Sequence, residues 1–111
     1  MTFAYDDITD SILLFNRKES DKMKGSAKVN NLIIDFTDKG KVVGLEIQEA
    51  TQFFKDMHLD GLPEKMKSAA LSVKQAHGVI ILFVSFRFED RNEERAIYVS
   101  SQSPTYAEAS C

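Results

Sequence analysis

The stretch DKGKVVGLEIQEATQFFKDM, residues 38–57, decides the fold, because the period of its apolar residues changes once along its length. Asp38-Lys39-Gly40-Lys41 has the residue types of a tight hairpin, with Gly40 suited to the left-handed conformation such turns require. Residues 41–47 then alternate, setting Val43, Leu45 and Ile47 on one side and Val42, Gly44 and Glu46 on the other. Residues 32–36 alternate as well, with Leu32, Ile34 and Phe36 together, so the two segments are read as an antiparallel pair. From Ala50 the period becomes 3.6. Ala50, Phe53, Phe54 and Met57 fall at i, i+3, i+4 and i+7, the apolar stripe of a short helix.

Working outward, Ser11–Phe15 is an apolar run after the turn-rich Tyr5-Asp6-Asp7-Ile8-Thr9-Asp10. Residues 16–25 are charged and read as a loop, and Ala27 and Val29 open a further extended segment. On the other side, Gly61 stands where a helix end expects it, and Pro63 with Glu64 suits the first turn of a second helix over residues 63–70. Residues 71–75, 79–88 and 95–101 read as strands, 89–94 as a charged turn and 102–111 as a tail. The prediction is an α+β fold in one domain, 1–111. It has a mainly antiparallel sheet of six to seven strands, with two short helices inserted at 49–70 and packed on one face.

Composition narrows the classes of function. With 111 residues, 43% hydrophobic and 28% charged, the chain is rich enough in apolar residues for a core without disulfides or a structural metal. The longest apolar run, residues 79–84, is far short of the ~20 residues of a membrane span. A net charge of −3 argues against nucleic acid or an anionic membrane as partner. One cysteine and no basic segment followed by an apolar one at the start lead to the expectation of a cytoplasmic protein.

Residues 5–51 resemble a prokaryotic family known as domain of unknown function 2283. The resemblance rests on Tyr5-Asp6 with Asp10, then Ile12-Leu13-Leu14, Ile33-Ile34-Asp35, Asp38 and Gly40. It continues through Val42-Val43-Gly44-Leu45-Glu46-Ile47 and Ala50. It implies a small, mostly β domain without an assigned activity, and it supplies no catalytic residues.

The chemistry-bearing residues are few. Asp6, Asp10, Asp35, Asp38 and Glu46 are carboxylates that acid–base chemistry or a hard cation could use. Turn chemistry accounts for Asp6, Asp10 and Asp38 more simply. Asp35 and Glu46 remain as ligand-site candidates, the latter beside Gly44, where a strand glycine leaves room for close approach. His58, His77 and Cys111 are too few for a zinc site, and no metal or other cofactor is expected. His77 reads as a solvent-facing turn residue. Neither a nucleophile elbow nor a phosphate-binding glycine loop occurs, and no catalytic residue is assigned. The basic loop residues Arg17, Lys18, Lys22, Lys24 and Lys28 lack interleaved aromatics and read as solvated.

Residues 79–84 are apolar on both faces, and such a strand must be covered on both sides. Ile80, Leu82, Val84 and Phe86 are therefore the interface candidates of a homodimer. The function expected is a non-catalytic binding or scaffold module working through protein contacts. The alternatives are a small-ligand or metal-binding domain at the Glu46 face and an antitoxin-like partner of a neighbouring-gene product.

Overall fold

The structure, a computed structural model, describes residues 2–100 and 106–109. Strands β1 (Thr2–Asp6), β2 (Ser11–Phe15), β3 (Met23–Val29), β4 (Leu32–Thr37) and β5 (Val42–Ile47) form one antiparallel sheet in the order β1-β2-β5-β4-β3. Helix α1 (Ala50–Asp56) and a single 3-10 turn at Pro63–Lys65 follow. Strands β6 (Ser68–Ala76), β7 (Val79–Arg87), β8 (Asn92–Ser100) and β9 (Tyr106–Ala109) form a second antiparallel sheet in sequence order.

The hairpin at residues 38–41 and the α1 stripe are as the sequence predicts. Ala50, Phe53, Phe54 and Met57 are all buried. Three expectations change. Residues 63–70 are not a second helix, because Ala69, Leu71 and Val73 alternate and pair with Phe86, Val84 and Leu82 of β7. Tertiary pairing overrides the helix-start signal at Pro63. The described residues hold nine strands instead of six to seven. Those missed are the edge strands β1, read as part of a turn, and β9, which lies inside the expected tail. An edge strand has one neighbour and needs less apolar alternation, so its signal in sequence is faint. The remainder of that tail, residues 102–105, 110 and 111, lies outside the described residues.

The third change concerns register. β4 and β5 pair Asp35 with Gly44 and Phe36 with Val42, so Val43 is an extra residue bulged out of the ladder. Past the bulge the facing switches, and Val42 joins Leu45 and Ile47 in the main core cluster in place of Val43. The cluster runs through both sheets: Ile12, Leu14, Leu32 and Ile34 from the first, Leu71, Ile80, Leu82, Val84, Phe86, Ile97 and Val99 from the second. The α1 phenylalanines bridge them, Phe54 meeting Phe86 edge-on at 5.1 Å between ring centroids.

Two side chains join the layers by hydrogen bonds. Gln75 of β6 accepts from the Val42 amide (3.1 Å) and donates to the Gly40 carbonyl (2.9 Å), acting as one more peptide group beside the β4–β5 hairpin. Arg95 of β8 donates to the Met57 and His58 carbonyls (2.8 and 3.0 Å), which the end of α1 would otherwise leave without partners.

Candidate functional site

Of the five carboxylates, Asp10 has the densest set of partners. It sits at the end of the β1–β2 turn with positive φ (53°), which aims its side chain at α1. The residue before α1, Glu49, also has positive φ and makes no side-chain cap. Asp10 supplies that cap from 41 residues away in sequence: it accepts from the Thr51 amide (3.0 Å) and the Thr51 hydroxyl (2.9 Å). Tyr5 donates its hydroxyl to the same carboxylate at 2.7 Å. Partial burial works to raise the Asp10 carboxyl, but the hydrogen bonds from Tyr5 and Thr51 outweigh it and hold the group below its ordinary range. The Tyr5 phenol is pushed up to about 12, first by its bond to Asp10, then by burial and by the Asp10 charge. Both directions favour the anion–phenol pair as found. This cluster is a tertiary helix cap.

Asp6 accepts from the Ile8 amide (2.9 Å) within its own turn, as turn chemistry predicts. At the β4–β5 hairpin the side-chain work is done by Thr37, whose hydroxyl accepts from the Lys39 and Lys41 amides. Asp38 contributes its backbone, the amide donating to the Lys22 carbonyl.

Asp35 and Glu46 share the outer face of the first sheet but stand diagonally, since Asp35 pairs with Gly44 and Glu46 with Ile33. Asp35 accepts a hydrogen bond from Ser26, and Glu46 accepts from Gln48 (3.1 Å). The room expected beside Gly44 is filled from within. A Cβ there would lie 2.8 Å from the Asp35 carboxylate and 3.2 Å from the Phe15 ring. Glycine therefore serves the packing of the chain's own side chains. Among the described residues no three His, Cys, Asp or Glu groups gather as metal ligands would. His58 is an exposed residue just past α1, and His77 an exposed residue in the two-residue β6–β7 turn. His77 and Gly78 both have positive φ there, the geometry that matches the twist of the flanking strands.

A cleft of about 640 Å³ opens at the end of the first sheet where Asp10 caps α1. Polar residues line it, among them Thr9, Asn30, Asn31, Gln48, Glu49 and Gln52. Several of those groups are already engaged: Asn31 donates to the Gln48 carbonyl, and Gln52 to Asp56.

The interface candidates sit where no partner can reach them. Ile80, Leu82, Val84 and Phe86 are buried in the core described above, covered by the first sheet and α1. Among the described residues, 79–84 are covered on that face alone. Their other face leaves Val79, Phe83 and Tyr98 exposed at 38%, 43% and 45%. The register sets Ser72 beside Phe83 and Ala96, and Lys74 beside Ile81 and Tyr98. Ser85 and Arg87 foretold this facing, since their polarity assigns the odd positions of β7 to the outside. A shallow apolar groove of about 470 Å³ runs along this face past Ala70, Phe83 and Ala96.

The fold is thus a pair of antiparallel sheets closed over one short helix. Residues 2–50 match the model of the family described as "Protein of unknown function (DUF2283)". That confirms the resemblance of the first half. The match spans β1 to β5 and ends at the first residue of α1, so it coincides with the first sheet. No curated protein matches the chain, and no solved structure matches it. Among the described residues no helix is long and apolar enough to cross a membrane.

Proposed function

We propose that the protein is a binding module without turnover, acting through protein–protein contacts on the outer face of its second sheet. The observation that carries this reading is the exposure of Val79, Phe83 and Tyr98 together, on a face whose centre bears no charge. Contiguous apolar area rimmed by polar residues marks contact sites in soluble domains. Aromatic residues are also the side chains that contribute most at protein interfaces. A ligand site at Asp35 and Glu46 has less support, because both carboxylates are hydrogen-bonded by their own sheet neighbours and the space between them and Gly44 is filled.

Site-specific photocrosslinking in the native cell tests the reading. Benzoylphenylalanine in place of Phe83 or Tyr98 is expected to give discrete protein adducts, while the same group in place of Lys28, on the outer face of the first sheet, gives none. Adducts from Lys28 alone, or from none of the three positions, reject the docking face.

A further inference from the structure

Of the three charged side chains that the register turns outward on β6 to β8, Lys74, Arg87 and Glu94, the first and the last stand in an arrangement that points to one occupant. Lys74 on β6 pairs across the ladder with Ile81, and Glu94 on β8 pairs with Ser85. Ile81 and Ser85 stand two residues to either side of Phe83 on the strand between them. Phe83 is therefore the register midpoint of a line from a lysine to a glutamate. Along and beside that line lie Ala70, Ser72, Ile81, Ser85 and Ala96, all uncharged. Neither Lys74 nor Glu94 has an ion-pair partner among the described residues.

A face with opposite charges at equal register distance from a central aromatic is complementary to itself. A twofold axis lying in the plane of the contact and passing by Phe83 turns each Lys74 onto the partner's Glu94, and stacks the two Phe83 rings near the axis. Twofold contacts are self-complementary in this way: the residue that meets j also receives j. The axis makes the strands of the two copies cross steeply, one of the recurrent ways sheets pack face to face. Strands lie roughly 4.8 Å apart and rise about 3.3 Å per residue, so three nine-residue strands offer about 430 Å² of flat footprint per copy. A contact of that size is at the small end for specific association, so the pair is expected to be weak.

We infer that the occupant of this face is a second copy of the chain, held in a twofold pair centred on Phe83 with two reciprocal Lys74–Glu94 contacts. The inference rests on the docking-face reading and adds the identity of the partner and its register.

Sedimentation velocity of the full chain, over a dilution series spanning the micromolar range, tests it with charge swaps. Lys74→Glu and Glu94→Lys each place like charges together at both contacts, and each is expected to weaken the dimer about tenfold or more. The double variant restores the opposite pairing and returns the dissociation constant to within about threefold of the wild type. Both side chains are exposed, and a thermal melt of each variant checks that the fold is kept. A wild-type chain that is monomeric throughout overturns the inference, as does a double variant no tighter than the single ones. If the protein is monomeric yet the Phe83 crosslinks form to a different protein, the second copy is rejected and the docking face stands. If those crosslinks are absent as well, both fall.

Discussion

The outer faces of the two sheets have been finished in opposite ways. On the first sheet the outward row is largely occupied by the chain's own contacts: Phe15, itself 39% exposed, and Asp35 lie over Gly44, Ser26 donates to Asp35 and Gln48 to Glu46. On the second sheet the outward row is open among the described residues, with Phe83 and Tyr98 nearly half exposed. The first face belongs to the segment that matches the family, residues 2–50; the second lies wholly outside it. A face that satisfies its own polar groups and fills its own gap has little left with which to attract a partner. One that exposes Val79, Phe83 and Tyr98 together, against Phe15 alone on the first sheet, has more reason to find one, since burying each such side chain is worth about 1.5–3 kcal/mol.

Four variants test this contrast in dilute solution. The largest effect comes from the two sides of β7. Phe86→Ala removes a fully buried ring that meets Phe53 and Phe54, and should cost about 3–5 kcal/mol in urea unfolding. Phe83→Ala, on the open side, should cost less than about 1 kcal/mol. Equal losses would mean that the open face is covered in solution even at low concentration.

Next is the cap at the edge of the closed sheet. Asp10→Ala leaves the Thr51 amide and the Tyr5 hydroxyl without their acceptor, for an expected loss of about 2 kcal/mol near neutral pH. The pH dependence follows from the two shifts. Asp10 is held low in the folded state, so its contribution is present above the unfolded carboxyl value near 3.9 and fades as pH falls through the folded one. Tyr5 is raised to about 12, so its contribution is present below the unfolded phenol value near 10 and is lost as pH climbs towards 12. The gap between wild type and variant should therefore narrow at both extremes. A gap that stays constant from pH 3 to pH 11 would refute the linkage.

A smaller loss than that of the cap is expected at the glycine that seals the first sheet. Gly44→Ala pushes the Asp35 carboxylate and the Phe15 ring aside, and should cost about 1–2 kcal/mol despite the better strand propensity of alanine. Its own signature is displaced chemical shifts at Ser26 and Phe15. A stabilised variant with those signals unmoved would show that the space is open after all, and would return a ligand to consideration beside Glu46.

How much of this was legible beforehand varies with the range of the interaction. The β4–β5 hairpin and the α1 stripe depend on periods of two and 3.6 that act within a few residues, and they can be read directly. The Asp10 cap could have been suspected, because Glu49 is a poor capping residue and α1 needed an acceptor from elsewhere. Which of several aspartates would provide it depended on bringing residues 10 and 51 together, and no local pattern carries that information.

The sequence by itself determined a mainly antiparallel α+β fold and the apolar stripe of α1, because alternation and helical spacing are local consequences of burying one side of each element. Only the tertiary structure decided which side of β7 is covered. Residues 79–84 are apolar on both sides, and the choice between them was made when the first sheet and α1 closed over Ile80, Leu82, Val84 and Phe86. It also decided that Val42 joins Leu45 and Ile47 in the main core cluster while Val43 is buried outside it, since the bulge that turns the strand over arises from its pairing with β4. Burial is a property of what packs against a residue, and the chain specifies that only through contacts far apart along its length.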